Sequence, residues 1–97
     1  MSDDNMESIR GSGNVYADFN DPDAQTKYMK AYLAANIIAV LDSQKLTGRD
    51  AAKRTGITAA DISRIRNADL GRFTLDRLVR VLGCLGQRVE IQVHEAA

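Results

Sequence analysis

Ala60, Ser63, Arg64 and Asn67 carry side chains suited to reading a hydrogen-bonding surface rather than to making or breaking covalent bonds. Their spacing of one and two helical turns puts them on one face of a short helix, with Ile62 and Ile65 marking the opposite, buried direction. On the outward face the planar fork of Arg64 can make two hydrogen bonds to a guanine edge, and the amide of Asn67 can pair similarly with adenine. Ser63 can bond a base or a phosphate, and Ala60 can touch a thymine methyl. These four are the candidate base-contacting residues. Asp61 could accept from cytosine, but its place three residues after Thr58 reads better as capping, with the carboxylate reaching back to the helix start.

Around this face lie groups that suit a phosphate backbone. Thr47 and Thr58 each begin a helix, where free amides and the helix dipole attract anions and a hydroxyl adds a contact. Arg49, Lys53 and Arg72 flank the same surface and are the candidate clamps; the plainer account of these cations is a solvated helix face. Arg77 and Arg80 suit salt bridges elsewhere.

Other chemistry has little to work with. One cysteine, Cys84, and one histidine, His94, make neither an intramolecular disulfide nor a zinc site. His94 has no nucleophile beside it and no carboxylate cluster falls on an ordered face, so no catalytic role and no cofactor is expected. Gly11-Ser12-Gly13 lacks the Lys-Ser/Thr ending of a phosphate loop.

The elements that must position the outward face can be read in turn. Asp21-Pro22 starts a first helix, because Asp caps free amides and Pro suits the first helical position. Met29, Leu33, Ile37, Val40 and Leu41 recur on one face of it to about residue 44, with Tyr28 and Tyr32 one turn apart near its start, as rim packing or as a partner contact. Thr47 and Asp50 predict a capping box at the start of the second helix, Ala52 supplies a small residue where two helices approach, and Gly56 supplies a positive φ at its end. Thr58 caps a third helix over residues 59–68, stapled by Ile57 and Ile62. Two short helices joined in this way over residues 47–67 have the form of a DNA-binding helix-turn-helix.

Phe73-Thr74 then predicts a staple and cap for a fourth helix, with Leu75, Leu78, Val79, Leu82 and Leu85 on its apolar face, Cys84 as a packing residue and Gly86 as its stop. Residues 88–94, RVEIQVH, change period. Val89, Ile91 and Val93 alternate with polar residues as in a half-buried strand. A strand needs a partner for its backbone groups, either the Val15 region or its own twin in a second subunit. The twin is favoured, since it would give the dimer that a helix-turn-helix protein uses, with Val89, Ile91 and Val93 at the dimer contact.

Ninety-seven residues make one small domain, and the balance of 44% hydrophobic and 27% charged residues fits a globular helical protein. No apolar run approaches the roughly 18 residues needed to span a bilayer, and the acidic start is unlike a secretory signal, so a cytoplasmic protein with no membrane contact is expected. Net charge is zero, which by itself argues against a nucleic-acid partner. Its distribution does not: residues 1–24 hold six acids against Arg10, whereas residues 43–80 hold nine bases against four acids. An acidic arm over residues 1–20 precedes a domain over residues 21–97. The arm is expected to be disordered at its start, and Val15, Tyr16 and Phe19 then give it apolar anchors.

Residues 46–65 resemble the helix-turn-helix of the phage-repressor-like (XRE or Cro-type) regulators. GSGNVYADFNDPDAQ at the front and FTLDRLVRVLGCLGQRVEI at the back are similar to the branch of host-inhibition-of-growth (HigA-like) antitoxins. The resemblance covers residues 11–93 and implies a mainly α, four-to-five-helix lambda-repressor-like bundle with one C-terminal β-strand over residues 88–94 pairing across a dimer. It implies a third helix that reads a palindromic operator in double-stranded DNA as a homodimer. Antitoxin members also repress their own operon and bind a small RelE-like toxin that cleaves mRNA. The chain departs from the resemblance at Gly48 and Ala59, where such proteins often carry Gln for phosphate and base contacts, and this moves weight to Ser63, Arg64 and Asn67. The arm is then either a solubilising tail or a toxin-binding segment acting through Tyr16, Asp18 and Phe19 on a basic partner. A toxin-free repressor, or an interaction module in which the helix-turn-helix is mainly scaffold, are the alternatives.

Overall fold

A stripe of Leu33, Ala34, Ile37 and Leu41 runs down one side of the first helix at three- and four-residue spacing, and all four side chains are buried. The computed structural model describes residues 22–95 and places this helix, α1, at Pro22–Ser43. It is followed by α2 (Gly48–Thr55), α3 (Ala59–Arg66) and α4 (Leu75–Cys84). The expectations for Tyr16, Asp18, Phe19 and the rest of the arm lie outside the described residues.

The boundaries of the short helices follow from their caps. Thr47 accepts from the Asp50 amide at 3.1 Å while the Thr47 amide donates to the Asp50 carboxylate at 3.3 Å, so the expected capping box is present. Gly56 ends α2 at φ +79°, where a side chain would be strained, and its amide reaches the Ala52 carbonyl at 2.9 Å. Thr58 and Thr74 cap α3 and α4 in the same way, accepting from the amides of Asp61 (3.0 Å) and Arg77 (3.1 Å).

The buried cluster joins the α1 stripe to Ala51 of α2, Ile62 and Ile65 of α3, Phe73, and Leu78, Val81, Leu82 and Leu85 from α4 and its end. Among the described residues no polar or charged side chain is buried with them. Several expectations need correction. Met29 is 39% exposed, because the stripe turns away from it toward Ala34. The enclosed small residue of α2 is Ala51, with Ala52 only half-buried. Val81 is in the core, whereas Cys84 is exposed.

The third helix stops at Arg66, two residues before the expected end. Asn67 caps it, Ala68 turns left-handed at φ +59°, and the Asp69 amide wraps back to the Arg64 carbonyl at 2.8 Å. Residues 88–94 form no strand in the described chain. Val89 is half-buried against the core, but Ile91 and Val93 are 79% and 91% exposed, so the three do not share the buried face that their alternation suggests. Arg88 and Glu90 pair at 2.7 Å, which puts these two alternate residues on a common side.

Ala68→Gly should stabilise the fold by about 0.5–1 kcal/mol, because the left-handed conformation costs an L-residue about 1–2 kcal/mol, more than the entropy that glycine adds to the unfolded chain. A urea titration checks this; a midpoint at or below that of the parent chain would show that Ala68 carries no strain.

Candidate nucleic-acid interface

With Ile62 and Ile65 only 2% and 0% exposed, the rotational setting of α3 is fixed and its outer face is determined. Ala60, Ser63 and Asn67 are exposed there, and Arg64 is partly so, its side chain at 35%. The structure thus brings the four candidate base readers onto one surface. The Asn67 amide donates to the Ser63 carbonyl at 2.9 Å, which leaves its own carbonyl oxygen and a second N–H for other partners.

Asp61 behaves differently from the sequence expectation. Its backbone amide is capped by Thr58, but its carboxylate does not reach back to the helix start. It accepts from Arg64 at 2.8 Å and from Arg77 of α4 at 3.3 Å, and its side chain is only 14% exposed. Arg77 in turn lies over the ring of Phe73, 4.9 Å from its centre. The two arginines take this carboxylate in place of the amide because each brings a full positive charge to it. Arg77 gives no local sequence signal for this role, since sixteen residues separate it from Asp61.

The remaining cations divide cleanly. Arg66 pairs with Asp42 at 3.1 Å, Arg80 pairs with Asp76 at 3.1 Å, and Arg54 donates to Gln44 at 3.1 Å. Arg49, Lys53 and Arg72, like Lys45, are exposed and make no ion pair among the described residues, so they have charge to offer an external anion. Thr47 and Thr58 hold the N-terminal amides of α2 and α3, with both hydroxyls engaged in capping. Lys27 and Lys30 were not anticipated: with Ala31 they face Ala68, Leu70 and Gly71 across a groove of about 490 Å³, beside the loop that carries Arg72. Only the packing of α1 on that loop brings them there.

Among the described residues no cluster of His, Cys, Asp or Glu could hold a metal ion, and no helix is long and apolar enough to cross a membrane. A short helix with a buried apolar face and a polar outward face, joined by a glycine turn to a capped partner helix, defines a DNA-binding helix-turn-helix regulator. The chain belongs to a helix-turn-helix domain family, whose model matches residues 15–94. Neither the curated proteins nor the solved structures returned a match.

Two carboxylates give the domain an acid-sensitive component. Thr47, through its side chain and backbone amide, holds Asp50 below its ordinary value of 3.8. Burial pushes Asp61 up, but Arg64 and Arg77 together outweigh it and leave it below the same value. A carboxylate whose value is lowered on folding stabilises the protein above the unfolded value and loses that contribution as pH falls through the folded one. Stability should therefore fall from about pH 4 downward, with a smaller fall in Asp50→Asn and Asp61→Asn. Denaturant midpoints measured across that range check this, and parallel pH profiles for parent and variants would exclude both carboxylates as the cause.

Proposed function

We propose that the chain is a sequence-specific repressor that binds a palindromic operator as a homodimer in the cytoplasm. The observation that supports it best is the exposure of Ser63 and Asn67, with Arg64 partly exposed, opposite the buried Ile62 and Ile65; Arg49, Lys53 and Arg72, exposed and without an ion pair among the described residues, add available charge. Phosphates would be held by these cations and by the α2 and α3 N-termini at Thr47 and Thr58, while Arg64, Asn67, Ser63 and Ala60 enter the major groove. The exposed Ile91 and Val93 support dimerisation through residues 88–94, each strand completing the ladder of its twin.

The finer reading is that this repressor is an antitoxin, regulating its own operon and neutralising a RelE-like toxin that cleaves mRNA. Its support is the N-terminal side of the family match, which begins at residue 15 and so takes in Tyr16, Asp18 and Phe19 ahead of α1. An acidic segment with aromatic anchors suits a basic nuclease. A second reading, in which the helix-turn-helix is mainly a scaffold for partner binding, draws support from Gly48 and Ala59, which offer no polar side chain at their positions.

A gel-shift series over a range of salt, on the DNA just upstream of the gene, separates these readings. Specific binding with a steep salt slope is expected. Arg64→Ala should lose about 1–3 kcal/mol of discrimination at one base per half-site, and Ile91→Asp should give a monomer with weak binding. Sequence-blind binding by the parent chain would favour the scaffold instead. For the arm, deleting residues 1–20 should abolish binding to a RelE-like toxin and leave operator binding intact; toxin affinity that survived the deletion would end that assignment.

A further inference from the structure

The geometry points to Asp61 as a specificity-determining positioning residue, which Arg77 holds in place and which in turn sets the guanidinium of Arg64 on the reading face. This deepens the DNA-reading proposal and rests on it. The observation behind it is a chain of contacts rather than a single pair. The Phe73 ring is 1% exposed and so is fixed by the core. Arg77 lies over that ring at 4.9 Å and donates to one carboxylate oxygen of Asp61 at 3.3 Å. Arg64 donates to the other oxygen at 2.8 Å. An immobile core side chain is thereby connected through two arginines and one carboxylate to the candidate base reader.

Arg64 spends one donor of its Nη1 group on Asp61, and a guanidinium has five. Four N–H groups remain, more than the two that a guanine edge takes, and the Asp61 bond restrains the guanidinium, so less rotamer freedom is lost on binding. A phosphate or a wrong base gains less from the same arrangement. A phosphate meets the repulsion of the Asp61 charge beside Arg64, and a wrong base offers no pair of acceptors that matches the fork. Asp61 thus favours the right base and penalises contacts that carry no sequence information. Asp76, which pairs with Arg80 on the exposed side of α4, carries the same charge without touching Arg64 and serves as the control.

The test uses the full chain, the tightest-binding duplex selected from random-sequence DNA, all single-base variants of that duplex, and thermal melts of each protein. Asp61→Asn and Asp61→Ala keep the backbone amide that Thr58 caps. Each should lower discrimination about tenfold, within the range of one bidentate base contact, at the same base pair whose preference is lost in Arg64→Ala. Arg77→Gln should act in the same direction and less strongly, and Asp76→Asn should leave discrimination unchanged. If Arg64→Ala relaxes the preference and the Asp61 variants do not, the positioning role is overturned while the DNA-reading proposal stands. Equal weakening at every base pair would assign Asp61 a merely structural role and overturn it too. If Arg64→Ala changes no preference, the placement of α3 in the groove fails, and this inference goes with it.

Discussion

An eight-residue helix has too few internal hydrogen bonds to persist in water by itself, so α3 depends on what it packs against. Burial of Ile62 and Ile65 among Ile37, Leu41, Phe73 and Leu78 supplies that dependence, and the rest of the domain follows from it. The two isoleucines hold the helix down and also set its rotation about its axis, so the outward residues are a consequence of the inward ones. Every other element contributes to this seat: α1 and α2 pack directly against α3, and α4 joins it through the shared core and the Arg77–Asp61 pair.

Much of this was legible in the sequence because it is local. A threonine three residues ahead of the amide it caps, a glycine at a left-handed turn, and isoleucines one turn apart are all short-range statements, and Thr47, Gly56, Ile62 and Ile65 stand where their spacing places them. The misreadings are of another kind. Asp61 is three residues from Thr58, and local logic assigns it to the cap, but the fold delivers Arg77 from the next helix and its full positive charge, with that of Arg64, takes the carboxylate. Cys84 looked apolar by type and Met29 by periodicity, yet which side of a helix is covered depends on the crossing of α1 and α4. The end of α3 was read two residues late because nothing in Ala68 announces a left-handed turn. Residues 88–94 show the limit most clearly: alternation is visible in one chain, but strand pairing is a property of two segments.

The charge pattern has the same two-level character. A net charge of zero concealed a basic body, and within that body the pairings sort the arginines into those that brace the fold and those left facing outward. Arg66 on Asp42 ties α3 to α1, and Arg77 on Asp61 ties it to α4, so the helix is tethered on both flanks. The Arg66–Asp42 pair is exposed and contributes little stability by itself, whereas the Arg77–Asp61 pair is part-buried. Together they connect α3 to the helices on which its buried isoleucines rest.

The described core is hydrocarbon throughout, with no buried polar group to demand a particular partner. Such a core accepts exchanges among aliphatic residues of similar volume at modest cost. The information that decides where α2, α3 and α4 begin is held instead by Thr47, Thr58 and Thr74, three hydroxyls at the surface. For anyone redesigning the domain, aliphatic exchanges of matched volume are open in the interior, whereas each of these three small polar residues on the outside holds a helix start that no apolar replacement would keep.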